Sequence, residues 1–274
     1  MKGLWVPLSG QIAQQRKVET IANNIANANT AGFKKDQLAF KEHLTVLAKG
    51  VEDIHLPRKE FSPEDFYHTQ GAERSAVAVA GSYTIHEQGP LNPTNNPFDV
   101  ALNGPGMLEV LTPFGTRFTR RGHLSVSSEG VLVTDQGFKV LQAKGATATT
   151  PTDPQEAENR VIKVATNRPL SISQEGDVVS QPGVIQKLSI VEFKDIHALR
   201  KQGDSLFINP SEENLQASTT QTKILQGFIE GSNINAIEEM SELMKAHRQF
   251  DSIQKAIQSY DSINSKAVND VSRF

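Results

Sequence analysis

Apolar residues recur in alternating steps of three and four near the C-terminus: Leu243, Ala246, Phe250, Ile253, Ile257 and Tyr260, continued by Asn264, Ala267 and Val271. That alternation traces one narrow stripe on a helix, the spacing of a coiled-coil seam. No proline or glycine interrupts residues 235–271, and a helix of that length spans roughly 50 Å. Asn235 with Glu238 three residues on predicts a capping-box start. The flanks of the stripe are polar, among them Glu238, Glu239, Glu242, Lys245 and Arg248. The N-terminus follows the same alternation through Leu4, Leu8, Gln11, Gln15, Val18, Ala22, Ile25 and Asn29, with Ile12 and Ile21 widening the stripe. Pro7 suits the first turn of this helix and Gly32 its stop. Two such seams need cover along their length. A surface helix packed on its own domain is one reading; an assembly helix that meets other subunits is the reading favoured here.

Residues 22–29, Ala-Asn-Asn-Ile-Ala-Asn-Ala-Asn, are an odd helix interior. Asparagine amides compete for backbone groups and weaken helices. One explanation is a helix end running into a turn. The other is a polar helix–helix contact between subunits, using Ala22, Asn23, Asn24, Ile25 and Asn27; we adopt it as the expectation. The expected assembly interface is then Leu4, Leu8, Val18 and this asparagine run on the first helix, with Leu243, Ala246, Phe250, Ile253, Ile257 and Tyr260 on the last.

Between the seams the period changes to two. Strand patterns start at Ser75, with Val77, Val79, Tyr83 and Ile85, and continue through Phe98, Val100 and Leu102 into the turn dipeptide Asn103-Gly104. Further short apolar runs, punctuated by turn residues every eight to twelve positions, predict an all-β barrel or sandwich ending near Phe207-Ile208. Residues 142–159 carry little apolar bulk and read as an exposed loop. The expected organisation is an N-terminal assembly helix (1–35), a linker or extended arm (36–74), an all-β domain (75–209), a return linker (210–234) and a C-terminal assembly helix (235–274). The fold class is therefore α+β: terminal α-helices packed as a coiled-coil-like module, with an all-β domain inserted between them.

Composition narrows the function. A net charge of −3 over 274 residues gives no polybasic signature for nucleic acid or anionic membrane. No apolar run approaches the ~20 residues of a membrane span, and Pro7 breaks the short N-terminal apolar patch that a secretory signal would need. There are no cysteines for disulfides or thiolate metal sites. The seven histidines, His43, His86, His123 and His247 among them, lack ligand spacing. Gly104-Pro105-Gly106 is a turn between strands rather than a dinucleotide fingerprint. Arg117, Arg120, Arg121 and Lys139 offer a basic face on the β domain, a solvated strand edge or a contact with a neighbouring subunit. No catalytic, cofactor or metal site is expected. A glycan-binding protein or enzyme on a β scaffold would need a cluster of acids or aromatics on one face, and the β segment has few, irregularly spaced acids.

Thr20–Lys35, Thr-Ile-Ala-Asn-Asn-Ile-Ala-Asn-Ala-Asn-Thr-Ala-Gly-Phe-Lys-Lys, resembles the N-terminal signature of the bacterial flagellar axial proteins, the rod, hook and hook-associated proteins. The resemblance extends over Gly3–Gln15, Asn95–Gly106, Arg117–Gly137 and Glu230–Tyr260, well over half of the chain in the family's order. Two segments lean toward the proximal-rod members over the distal-rod members. They are Gly89-Pro90-Leu91, followed by Asn96–Leu102, and Glu230-Gly231-Ser232-Asn233-Ile234-Asn235, where distal-rod members more often carry threonine in place of Gly231. The resemblance implies a structural subunit of the periplasmic rod of the flagellar basal body. It implies export without a cleaved signal through the flagellar type III apparatus, and polymerisation through the terminal helices with copies of itself and other rod proteins. It implies no cofactor, no membrane insertion and no nucleic-acid partner.

Overall fold

A computed structural model describes residues 5–46, 73–143, 154–164, 170–181, 184–216 and 221–271. Among the described residues the α-helices are α1 (Trp5–Ala26), the short α2 (Pro154–Asn159) and α3 (Ala236–Val271). α3 begins directly after Asn235, with Glu238 and Glu239 in its first turn, where acidic groups complement the helix dipole. α1 stops at Ala26, before the expected Gly32. The asparagine run leaves the helix through three-residue turns: the backbone N–H groups of Asn27 and Thr30 donate to the carbonyls of Asn24 and Asn27 at 3.0 and 3.1 Å. The Thr30 hydroxyl donates to Asn27 Oδ1 at 3.1 Å, the local side-chain bonding that competes with helix.

The chain divides into two compact units. One is made of Met1–Asn23, Asp36–Tyr83 and Ile237–Phe274, the other of Asn24–Lys35 and Thr84–Ala236. In the first, α1 and α3 lie side by side and antiparallel. Gly10 faces Ile253, where a Cβ would sit 3.8 Å from Ile253 Cδ1, and Lys17 Nζ lies 3.8 Å from Glu242 Oε2. Strands β1 (Asp36–Val46) and β2 (Glu73–Thr84) form a two-stranded ribbon in the same unit. The ribbon touches α1 where the Val77 N–H donates to Ser9 Oγ at 3.2 Å. Residues 36–46, expected as linker or arm, are thus strand. Leu38 and Phe40 alternate with Ala39 and Lys41, and the segment takes its shape from a partner strand some thirty residues away. The rest of the expected linker, 47–72, lies outside the described residues.

The second unit is β-rich. Its strands are β3 (Leu91–Pro93), β4 (Val100–Asn103), β5 (Met107–Thr112), β6 (Gly115–Thr119), β7 (Leu124–Val126), β8 (Leu132–Thr134), β9 (Lys139–Val140), β10 (Ser171–Ile172), β11 (Asp177–Gln181), β12 (Val184–Lys187), β13 (Ile190–Val191), β14 (Arg200–Lys201), β15 (Leu206–Ile208), β16 (Lys223–Gln226) and β17 (Phe228–Glu230). The largest sheet runs β14-β15-β6-β5-β9-β8-β7, with β13 also on β5; β10-β11-β12 form a second. Alternating apolar positions build the core between them, including Val100, Leu102, Val110, Leu132, Val140, Ile162, Leu188 and Ile224. A smaller aromatic cluster joins Met107, Phe118, Phe193, Leu199 and Phe207. Residues 210–234, expected as a return linker, instead close the unit. β16 pairs antiparallel with β4, setting Ile224 opposite Leu102, and β17 pairs with β3, setting Glu230 opposite Leu91. Within the expected loop 142–159, Pro154–Asn159 is helical and residues 144–153 lie outside the described residues. Arg160, just after α2, holds this return to the sheet: its guanidinium donates to Glu109 Oε2 at 2.6 Å and to the Gln142 carbonyl at 2.7 Å.

Candidate assembly surface

On α3 the expected stripe is the covered side. Ala246 is fully buried, and Leu243, Phe250, Ile253 and Ile257 are half-buried. Cover then ends: Tyr260, on the same stripe, is exposed, and Ile263 beside it is 60% exposed. The side chains of Asn264, Ala267 and Val271 lie outside the described set.

On α1 the covered side is rotated from the expected one. Ala13 and Ile21 are buried, and Gly10 and Lys17 face α3. The expected seam lies one position further along, a rotation of about 100°. Its Leu8, Ala22 and Asn23 are exposed, Val18, Ile25 and Asn27 are half-buried, and Leu4 lies outside the described residues. Asn24 alone of this set is buried. The covered side carries the small residues Gly10 and Ala13, whereas the expected seam carries Gln11 and Gln15 at its centre. Leu8 and Ile12, the latter 54% exposed, stay on an outward face.

A second apolar row on α3 escaped the sequence reading. Ile237, Met240 and Met244 are 78%, 52% and 57% exposed, and steps of three and four put them on one side of the first two turns. Their spacing was the available signal. It was masked by the longer stripe through Leu243, which shares the same turns.

The family-like segments meet in the second unit, in a buried ionic knot. Lys34 Nζ lies 2.6 Å from Glu230 Oε1, and Arg120 Nη1 lies 3.2 Å from Glu230 Oε2. All three side chains are at least 98% buried. Lys34 also donates to the Glu87 carbonyl at 2.6 Å, the Gly89 N–H donates to Glu230 Oε1 at 3.1 Å, and Arg120 reaches the carbonyls of Leu102 and Gly104. Burial lowers the pKa of Lys34, and the Glu230 carboxylate opposes it; Arg120 is lowered for the same reason. Asn233 completes the joint, accepting from the Lys35 N–H at 2.8 Å and donating to the Ile85 carbonyl at 2.9 Å. Lys201 sits over the Phe33 ring, 3.6 Å from its centre, a cation–π contact.

Two glycines make the knot possible. Gly32 has φ +66°, and a Cβ there would lie 2.6 Å from the Arg120 carbonyl carbon. A Cβ on Gly89 would lie 2.1 Å from the Gly231 carbonyl oxygen. The basic face expected from Arg117, Arg120, Arg121 and Lys139 does not form as a unit. Arg120 is buried in the knot, Arg121 pairs with Asp135, and Arg117 donates to Gln202. Among the described residues, no group of acids and histidines is placed to hold a metal ion.

Three family profiles match the chain. Residues 6–34 match "Flagella basal body rod protein", residues 101–181 match "Flagellar hook protein FlgE/F/G D1 domain", and residues 225–270 match "Flagellar basal body rod FlgEFG protein C-terminal". The chain is 31% identical to the flagellar basal-body rod protein FlgF of Caulobacter vibrioides over 266 residues, 97% of this chain and 96% of the relative. It is 30% identical to FlgG of the same bacterium, covering 96% of this chain and 97% of the relative, and 30% identical to FlgG of Bacillus subtilis, covering 98% of each. The chain belongs to the flagellar basal-body rod protein family. Members of this family are structural proteins of the rod and not enzymes. Among the described residues of this rod protein, no helix is long and apolar enough to cross a membrane. The knot residues Lys34 and Glu230 lie at or inside the edges of two of the matched regions, and Arg120 lies inside the third.

Proposed function

We propose that this rod-family chain is a proximal-rod subunit of the FlgF type. It would polymerise through its terminal helices with copies of itself and other rod proteins in the periplasm, after delivery without a cleaved signal through the flagellar export apparatus. The observation that carries the assembly reading is the set of large apolar side chains left exposed on α1 and α3: Leu8, Ile12, Ile237, Met240, Met244, Tyr260 and Ile263. A helix pair exposing that much apolar surface gains stability when copies cover it. The subtype reading rests on Gly89-Pro90-Leu91 and Glu230-Gly231, which are one packed site. The Gly231 N–H donates to the Pro90 carbonyl at 2.8 Å, and a Cβ on Gly231 would lie 3.2 Å from Pro90 Cγ. A glycine next to this proline fits, and a threonine there would crowd it. FlgG-type distal rod is the alternative, since relatives of both types match at about the same identity.

Sedimentation of the purified chain over a range of concentrations tests the assembly reading. Association that Ile12→Asp weakens at least tenfold is the expected result, and a chain that stays monomeric at every concentration sinks it. Cross-linking with mass spectrometry of basal bodies from the source bacterium tests the subtype. Contacts confined to the membrane-proximal end of the rod are expected for the FlgF type; contacts along the distal rod would reassign it.

A further inference from the structure

We propose that successive copies join head to tail along α3, the exposed far end of one helix seating on the Ile237–Met240–Met244 row at the start of the next. This rests on the assembly reading above and adds which surfaces meet. Two observations on the same helix carry it. The stripe that α1 covers through Leu243, Ala246, Phe250, Ile253 and Ile257 continues into Tyr260 and Ile263, where cover ends. The pairing explains why: Gly10 stands opposite Ile253 and Lys17 opposite Glu242, so Trp5, the first described residue of α1, falls near residue 257 of α3. The 22 residues of α1 span about 33 Å and the 36 of α3 about 54 Å, so about 20 Å of α3 extends past the described residues of α1.

A covering surface of matching chemistry stands at the opposite end of the same helix. Ile237, Met240 and Met244 form an exposed row about 10 Å long. Tyr260 and Ile263 are three residues apart, as are Ile237 and Met240, so displacing one copy along the axis by about 35 Å, close to the length of α1, brings the two pairs level. Methionine is unbranched and adapts to an aromatic ring or a branched chain pressed against it. The ring edge of Tyr260 is suited to that sulfur contact, and its hydroxyl remains in water. Polar groups flank both rows, with Glu238 and Lys245 beside the first and Asp261 and Lys266 beside the second. Because the two surfaces differ, the contact is heterologous: each copy keeps one of each kind free, and the array grows instead of closing.

The chain contains no cysteine, so introduced thiols report a single geometry. The full-length chain carrying both Met240→Cys and Ile263→Cys is oxidised at concentrations where the unaltered chain associates. A covalent ladder of dimers, trimers and larger species is expected. An equimolar mixture of the two single variants should give dimers made of one of each, at least tenfold more than either single variant alone. A chain that associates while these thiols stay uncoupled, or couple no better than an Ile12→Cys and Ile263→Cys pair, overturns the head-to-tail contact and leaves assembly standing. A chain that never associates overturns both. Tyr260→Asp provides a second measurement: it should weaken association at least tenfold while circular dichroism shows the helix content kept, and unchanged association overturns the proposal.

Discussion

Replacing Glu230 by glutamine keeps its size and removes its charge, leaving Lys34 and Arg120 as buried cations with no carboxylate between them. Losing one member of a buried charge group in this way costs about 3–5 kcal/mol. Urea denaturation of Glu230→Gln should show that loss in the β-rich unit, whereas Arg16→Gln, whose partner Glu19 is exposed, should change stability by under about 0.5 kcal/mol. Lys34 also predicts a pH dependence. Its folded pKa lies below the ordinary lysine value of 10.5, so between the two the unfolded chain binds more protons and stability rises with pH. Denaturation midpoints of the wild type and Lys34→Met should diverge in the wild type's favour as pH rises through that window. A constant difference would show that Lys34 does not titrate there. At this scale the sequence displayed its lysines and arginines but not their burial. Lys34 lies 196 residues from Glu230, and no local pattern distinguishes a cation that will be paired inside from one left in water.

An element is legible when its own residues decide its state. α3 is such a case: the alternation through Phe250 and Ile257 set both the helix and its covered side, and no glycine or proline intervened. α1 was legible as a helix, but the side it turns to α3 was not. Two glutamines held seam positions, and Gly10 and Ala13, on the covered side, carry little hydrophobic signal. β1 and β16 were not legible, because each is short or polar and gains strand geometry from a distant partner. Ala13→Leu tests how tightly this buried position is packed. Overpacking of this kind costs about 1–3 kcal/mol and should lower the melting of α1 and α3 while the β-rich unit keeps its transition. If the β-rich unit melts earlier as well, the small residue supports more than the helix pair.

At the scale of the whole molecule, two compact units, with both core clusters in the second, predict two unfolding events. The first unit pairs two helices through a narrow contact and leaves large apolar side chains in water. The second has a layered core and the ionic knot. Hydrogen exchange on the dilute chain should show amides of 240–265 exchanging well before those of β5 and β6. Association should slow exchange in α3 while leaving the sheet unchanged. Equal protection of both regions in a verified monomer would mean that the helices need no neighbour. The insertion of a β-rich unit between two helices was legible from the change of period along the chain. Its boundaries were not, since residues 24–35 belong to it by contact and not by sequence order.

The ionic knot also fixes a timetable. Lys34 leaves a ribosome, or any passage entered amino end first, 196 residues ahead of Glu230, and it must then wait until Glu230 arrives. Until that moment the β16 and β17 strands are missing, the lysine stands in solvent, and the β-rich unit lacks its last side. A chain halted at residue 220 would hold the other described strands of this unit and still be unable to lock, because Glu230 and both closing strands come after them.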